Sequence, residues 1–271
     1  MESVDIKGNS GCKIELEDGT VVKSSKAKRD NARLKIQYQK QKDFKSNIFR
    51  APKVYGSGEK NEKFFFKMEF VPYKTFNKIF SLATKKDLDN ISNKIISFIE
   101  SNIKGSDLIS KDIIISKFEK TKEDVRIKKG IDLSYLSELF YSLDDYIELP
   151  IGYCHGDLTF SNLLFEKDDI VLIDFLDTYF DSPIQDIIKV KQDTEYFWSL
   201  RMLKCNYDKI KMIQCFRYID KVLEEKFNSL NYYRDYYKVL QVLNLMRIIS
   251  YCDNKKDIDF LLLGINKLCQ H

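Results

Sequence analysis

Histidine is nearly missing from this chain: His155 and His271 are the only two among 271 residues. That scarcity excludes the imidazole clusters from which many metal centres are built. The six cysteines, Cys12, Cys154, Cys205, Cys215, Cys252 and Cys269, are widely spread and form no C-x-x-C pair, so neither a zinc ribbon nor a disulfide framework is expected. Long apolar runs are also lacking. The longest, such as Phe260 to Gly264, fall far short of a membrane span, and Met1 to Ser10 has no apolar core of signal-peptide length. Nor does one sign of charge dominate: the net charge is +4, with lysines and acids interspersed, which gives no basic field of the kind nucleic acid needs. The expected setting is a reducing cytoplasm, with neither nucleic acid nor membrane as a partner.

What is present suits a packed protein. Hydrophobic residues make up 44% and charged residues 32%, and the length allows one large or two modest domains. The first stretch reads as β-hairpins with strands at Val4 to Ile6, Cys12 to Leu16 and Val21 to Ser24, because Asp18-Gly19 between alternating apolar residues is a strong turn signal. A helix with a limited apolar face is expected from Lys26 to Phe44. A second hairpin follows, from Lys53 to Tyr55 and Phe64 to Val71, turning at Gly56 to Asn61.

Beyond Pro72 the pattern becomes helical, with candidates at Asp87 to Ile103 and Leu133 to Ile147. A short hairpin, Asn162 to Phe165 with Ile170 to Ile173, interrupts the helices. After Pro183 helical periodicity returns at Asp186 to Leu203, Tyr207 to Phe227, Tyr232 to Tyr251 and Asp257 to Leu268. The fold class expected is α+β in two lobes, residues 1–71 forming a β-rich lobe and residues 72–271 a helical one.

The chemistry concentrates in Tyr153-Cys154-His155-Gly156-Asp157-Leu158-Thr159-Phe160-Ser161-Asn162 and, after the hairpin, Val171-Leu172-Ile173-Asp174-Phe175. An acid and an amide five apart share one loop, and a second acid ends the next strand. Phosphoryl transfer from ATP needs a group that orients the acceptor hydroxyl and takes its proton, together with oxygen ligands for Mg²⁺. Asp157, Asn162 and Asp174 supply those parts in that order. Asp and Asn also cap ordinary turns, so it is the combination that carries the reading.

This H-G-D-x-x-x-x-N with a downstream I-D-F resembles the motifs of the aminoglycoside phosphotransferase and choline kinase family, which shares the protein-kinase fold. The resemblance implies Asp157 as catalytic base, His155 as the support of its loop, and Asn162 and Asp174 as Mg²⁺ ligands. It also implies a phosphate-covering loop at Gly8-Asn9-Ser10-Gly11, with Gly8, Ser10 and Gly11 as nucleotide contacts. Lys23 would meet the α- and β-phosphates, and the backbone of the hinge containing Glu69 and Val71 would meet adenine. Asp186 would brace or cap, and Asp177 is a loop acid that could face an acceptor. Acceptor contacts are expected from the helices after Pro183, with Glu195, Tyr196, Trp198, Arg247, Tyr232-Tyr233 and Tyr236-Tyr237 as candidates.

One departure stands out. Where kinases carry a helix glutamate that holds the lysine, this chain offers Gln37, Gln39 and Gln41, with no acid between Asp30 and Asp43. The activity implied is ATP-dependent phosphorylation of a hydroxyl on a sugar, an amino-alcohol such as choline, or an aminoglycoside-like compound. The alternative is a nucleotide-holding scaffold that retains the fold with weak catalysis.

Overall fold

The computed structural model describes residues 12–166 and 169–270, so the expected strand at Val4 to Ile6 and the glycine-rich loop with Gly8, Ser10 and Gly11 lie outside the described residues. The chain divides into two compact units, Met1–Leu82 with His155–Thr178, and Ala83–Cys154 with Tyr179–His271. The architecture is α+β, an antiparallel sheet in one part and helices in the other.

In chain order the elements begin with β1 (Cys12–Glu17), β2 (Thr20–Ser25), α1 (Asn31–Asp43), β3 (Val54–Lys60), β4 (Lys63–Glu69) and α2 (Phe76–Leu82). Then come α3 (Lys85–Ser101), β5 (Ile103–Ser110), α4 (Lys111–Lys129), α5 (Ser137–Tyr141), β6 (Tyr146–Gly152), β7 (Leu163–Glu166) and β8 (Asp169–Leu172). The last are α6 (Ile184–Thr194), α7 (Trp198–Met202), α8 (Lys209–Phe227), α9 (Asn231–Ile249) and α10 (Lys255–Gln270).

The first unit is built on a four-stranded antiparallel sheet in the order β1-β2-β4-β3. Asp18 and Gly19 turn β1 into β2 with φ of 45° and 74°, the paired positive values of the tight hairpin turn that Asp-Gly favours. The second hairpin turns later than expected, at Asn61 and Glu62 (φ 51° and 60°), so the Gly56 to Gly58 segment is strand, not turn. Gly58 suits that strand because Phe65 lies across it: a Cβ there would sit 3.0 Å from the ring. Helix α1 packs on the sheet through Leu34, over a core of Val21, Phe64, Phe66 and Met68.

Backbone bridges tie the later segment of this unit to the earlier one. The Arg50 amide donates to Ile170 O and the Leu172 amide to Arg50 O, while Lys74 and Phe165 exchange amide-to-carbonyl bonds of 3.0 and 3.1 Å. Hairpin β7-β8 is thereby flanked on both sides, and the loops before and after it inherit a fixed frame.

The second unit is mostly helical. Its core gathers Phe118, Phe140, Ile188, Leu243, Met246 and Leu261, with Phe118 and Phe140 stacked at 4.1 Å. Thr84 and Asp87 start α3 with a reciprocal cap, the Asp87 amide donating to the Thr84 hydroxyl and the Thr84 amide to the Asp87 carboxylate. Sequence reasoning missed helix α4 here and erred in two other places. Leu133 to Ile147, expected as one helix, is a 3₁₀ turn and the short α5, after which strand β6 begins and pairs with β5 in a ribbon whose apolar content is too low to announce it. Asp186 to Leu203 is two helices, because Phe197 (φ 55°) breaks the chain and buried Asp193 accepts from the Ser199 amide and hydroxyl, both at 2.7 Å, to start α7.

Every residue of α6 is buried. Lys191, 1% exposed, ties α6 to α8 through ion pairs with Glu195 (2.7 Å), Asp220 (3.0 Å) and Glu224 (2.8 Å). Burial alone would depress its pKa, but the surrounding carboxylates hold it above the ordinary lysine value. Among the described residues no helix is long and apolar enough to cross a membrane.

Candidate active site

Loop 155–162 and strand end 173–175 meet in the first unit. Gly156 adopts φ 86°, a backbone region closed to most side chains, and a Cβ there would fall 2.7 Å from Leu176 O. Glycine is therefore what lets the loop lie against segment 174–178. The Leu176 amide donates to His155 O at 3.0 Å, and the Ile173 amide donates to Asn162 O at 3.1 Å, so each end of the loop is stitched to the segment after β8 that carries Asp174.

His155 is fully buried. Its Nε2 lies 2.9 Å from Ile173 O, where the ring must donate, and the Asp157 amide donates to Nδ1 at 3.3 Å. Both ring nitrogens are thus used by the backbone, which assigns the Nε2-protonated neutral tautomer. Burial pushes its pKa down to about 4, against the opposing pull of Asp157. Phe175 packs on the ring at 4.6 Å and on Phe44 at 5.1 Å. In this place the ring ties the Asp157 amide to the Ile173 carbonyl.

The Asn162 side-chain amide donates to the Asp157 carbonyl (2.8 Å) and to its Oδ2 (2.9 Å). Both amide hydrogens are spent on one residue, which fixes the carboxylate and turns Asn162 Oδ1 away without a partner among the described residues. Asp174 stands at φ 61°, a strained setting for a side chain other than glycine, worth on the order of 1–2 kcal/mol and retained where surroundings enforce it. Its Oδ1 accepts from Lys23 Nζ at 2.6 Å, while its Oδ2 has no partner among the described residues.

Lys23, on β2 and 2% exposed, also donates to Gln37 Oε1 at 3.0 Å. The residue of α1 that faces the lysine is therefore Gln37, itself buried, and the helix is in the expected register with an amide in place of an acid. Sequence reasoning missed Lys40, one turn further along the same face, whose Nζ donates to Leu176 O at 2.8 Å. The i, i+3 spacing from Gln37 was the available signal. Asp177 is exposed, and Asp186 lies buried in the first turn of α6 in the second unit.

In the segment expected to act as hinge, the Glu69 amide donates to Lys53 O (2.8 Å), and its carboxylate accepts from Arg50 and from the Lys53 amide, both at 3.0 Å. Val71 is buried on Leu164 and Val171, and neither its N–H nor its C=O bonds to another described residue. Those two groups are what adenine recognition by backbone would use.

The sequence model of the phosphotransferase enzyme family matches residues 117–200, a span that includes the whole of this loop and both acids. None of the curated proteins matches the chain in sequence. Among solved structures, a thermostable mutant of aminoglycoside phosphotransferase APH(4)-Ia superposes with TM-score 0.60 at 12% identity, covering 100% of this chain and 94% of that one. The chain has the aminoglycoside phosphotransferase fold.

The same fold is seen in a protein proposed to be a fructosamine-3-kinase of Haemophilus somnus 129PT, with TM-score 0.64, 12% identity and coverage of 99% and 91%. It is seen again in the streptomycin–ATP ternary complex of APH(2")-IIa, with TM-score 0.51, 15% identity and coverage of 100% and 92%. Within this fold the second unit holds a cavity of about 1000 Å³ lined by Glu195, Tyr196, Arg217 and Asp220. Two of the expected acceptor contacts, Glu195 and Tyr196, therefore line a cavity, and Tyr237 donates to Glu195 at 2.8 Å. Tyr233 instead donates to Glu224, at 2.7 Å.

Proposed function

We propose that the chain is an ATP-dependent small-molecule kinase that transfers the γ-phosphoryl group to a hydroxyl of a sugar, an amino-alcohol or an aminoglycoside-like compound, in the reducing cytoplasm. The observation that carries this reading is the grouping of Asp157, Asn162 and Asp174, with two oxygens, Asn162 Oδ1 and Asp174 Oδ2, left without protein donors. Two such oxygens do not make an all-protein cage. They suit Mg²⁺, which takes one or two protein ligands and completes its shell with phosphates and water. Bound there, the ion would neutralise charge on the β- and γ-phosphate oxygens.

The remaining work falls to this chain's side chains. Asp157, held by Asn162, would orient the acceptor hydroxyl and take its proton as the oxygen attacks. Lys23 would turn to the α- and β-phosphates, and the free N–H and C=O of Val71 would receive adenine. His155 would keep the loop in register without taking part in proton transfer. Catalysis of this kind rests on positioning and charge, since the protein makes no covalent bond to the phosphoryl group.

The test is calorimetric titration of ATP, with and without Mg²⁺, into wild type and Asp174→Ala. Magnesium-dependent binding that disappears in the variant is the expected result. Absence of binding at about 1 mM ATP would sink the reading. A second reading, a scaffold that holds nucleotide without turnover, is favoured by one observation: Lys23 is paired with Asp174, the acid the metal would need. It predicts nucleotide binding with no phosphorylated product from any alcohol screened.

A further inference from the structure

Lys23 is buried among an amide and a carboxylate, and only the carboxylate can balance its charge. A glutamate at position 37 would share that task and leave Asp174 free for a cation. Gln37 offers the ammonium a carbonyl oxygen at 3.0 Å and nothing more, while Asp174 takes the ammonium at 2.6 Å. The cost of this choice is visible on the same amide group, where Gln37 Nε2 is buried with no hydrogen-bond partner among the described residues. An unpaired buried donor is destabilising, and an isosteric glutamate would carry no such donor.

We infer that Gln37 is a positioning residue that keeps Lys23 on Asp174, so that the ammonium guards the metal-binding carboxylate until nucleotide phosphates draw it away. Free divalent ions then meet a carboxylate already engaged by a cation. A nucleotide brings its own anionic oxygens, which offer Lys23 a second place to go, and frees Asp174 in the same event. Metal and nucleotide therefore enter as one unit, and metal without nucleotide binds weakly. The coupling rests on the kinase reading given above, and its sign follows from charge alone: two cations compete for one carboxylate.

The experiment titrates Mn²⁺, followed by its paramagnetic signal, in the absence of nucleotide into wild type, Gln37→Glu and Lys23→Met. Gln37→Glu gives the lysine another anion, whereas Lys23→Met removes the competing cation without adding charge and places an apolar chain of similar length in a buried position. Both variants are expected to bind Mn²⁺ roughly tenfold or more tightly than wild type, the weight of one charge-assisted hydrogen bond. If either variant stays at the wild-type affinity, the inference is overturned, since a rise in Gln37→Glu alone would reflect only its added charge. Calorimetry of Mg²⁺-ATP with wild type runs alongside. Failure there would remove the nucleotide reading, whereas normal nucleotide binding with unmoved Mn²⁺ affinities would remove only the role given to Gln37.

Discussion

Asn162 donates both of its side-chain amide hydrogens to Asp157, one to the backbone carbonyl at 2.8 Å and one to the carboxylate at 2.9 Å. Asp157 and Asn162 are thus a single rigid pair. Asp157→Asn retains an oxygen that can accept from Asn162, so the loop should keep its shape while losing the proton acceptor. Nucleotide affinity is expected to stay within a few-fold of wild type, and turnover to fall by roughly 10²–10⁴. Steady-state kinetics with an accepted alcohol, beside calorimetry, checks both halves; unchanged turnover would end the assignment of Asp157 as base.

Gly156 has no room for a side chain. Gly156→Ala would place a methyl 2.7 Å from Leu176 O at φ 86°, so the loop must shift away from segment 174–178. A loss of about 1–3 kcal/mol is expected from backbone strain, with turnover falling further than stability because Asp157, the proposed base, moves with the loop. Thermal unfolding and kinetics on the same preparation separate the two.

His155 makes stability depend on acid. Its folded-state pKa of about 4 lies below the ordinary value of 6.5, so the unfolded chain binds the proton more readily. The contribution is fully present above pH 6.5 and is lost as pH falls towards 4, on the order of 3 kcal/mol over that window. In His155→Gln, whose amide can still donate to Ile173 O, denaturant unfolding between pH 7 and pH 4 should show a shallower decline than wild type. Parallel pH dependences would contradict the buried neutral tautomer.

Lys191 is enclosed by three carboxylates and is 1% exposed. Lys191→Met removes a buried charge that pairs with Glu195, Asp220 and Glu224, and breaking a buried pair by deleting one partner is strongly destabilising. Because the acids retain some solvent contact, a loss of about 3 kcal/mol, the low end of the usual range, is expected. Chemical denaturation gives the value directly.

Much of the site was legible because its parts are local. His155, Gly156, Asp157 and Asn162 fall within one loop whose spacing reflects a single set of hydrogen bonds, and Asp18-Gly19 announces its turn in two letters. The pairing of Lys23 with Asp174 spans 151 positions and was not expected, since no local pattern announces it. The β5–β6 ribbon was hidden for another reason. Ile103-Lys104-Gly105-Ser106-Asp107-Leu108 is largely exposed and carries little apolar alternation, so its strand character comes from pairing with Glu148 to Gly152, not from local preference. Helix α4 was there to be found, since Ile114, Phe118, Thr121 and Val125 recur at helical spacing between the Ser110 cap and the left-handed Gly130.

Helix α6 has no face turned to solvent along Ile184–Thr194, although seven of its eleven residues are polar or charged. Such a helix cannot fray into water one turn at a time, because each exposed turn would have to break packing on every side. Its amide hydrogens should exchange with deuterium only when the whole second unit opens, which makes this segment a built-in gauge of that unit's global stability and the last part of it to which a protease would gain access.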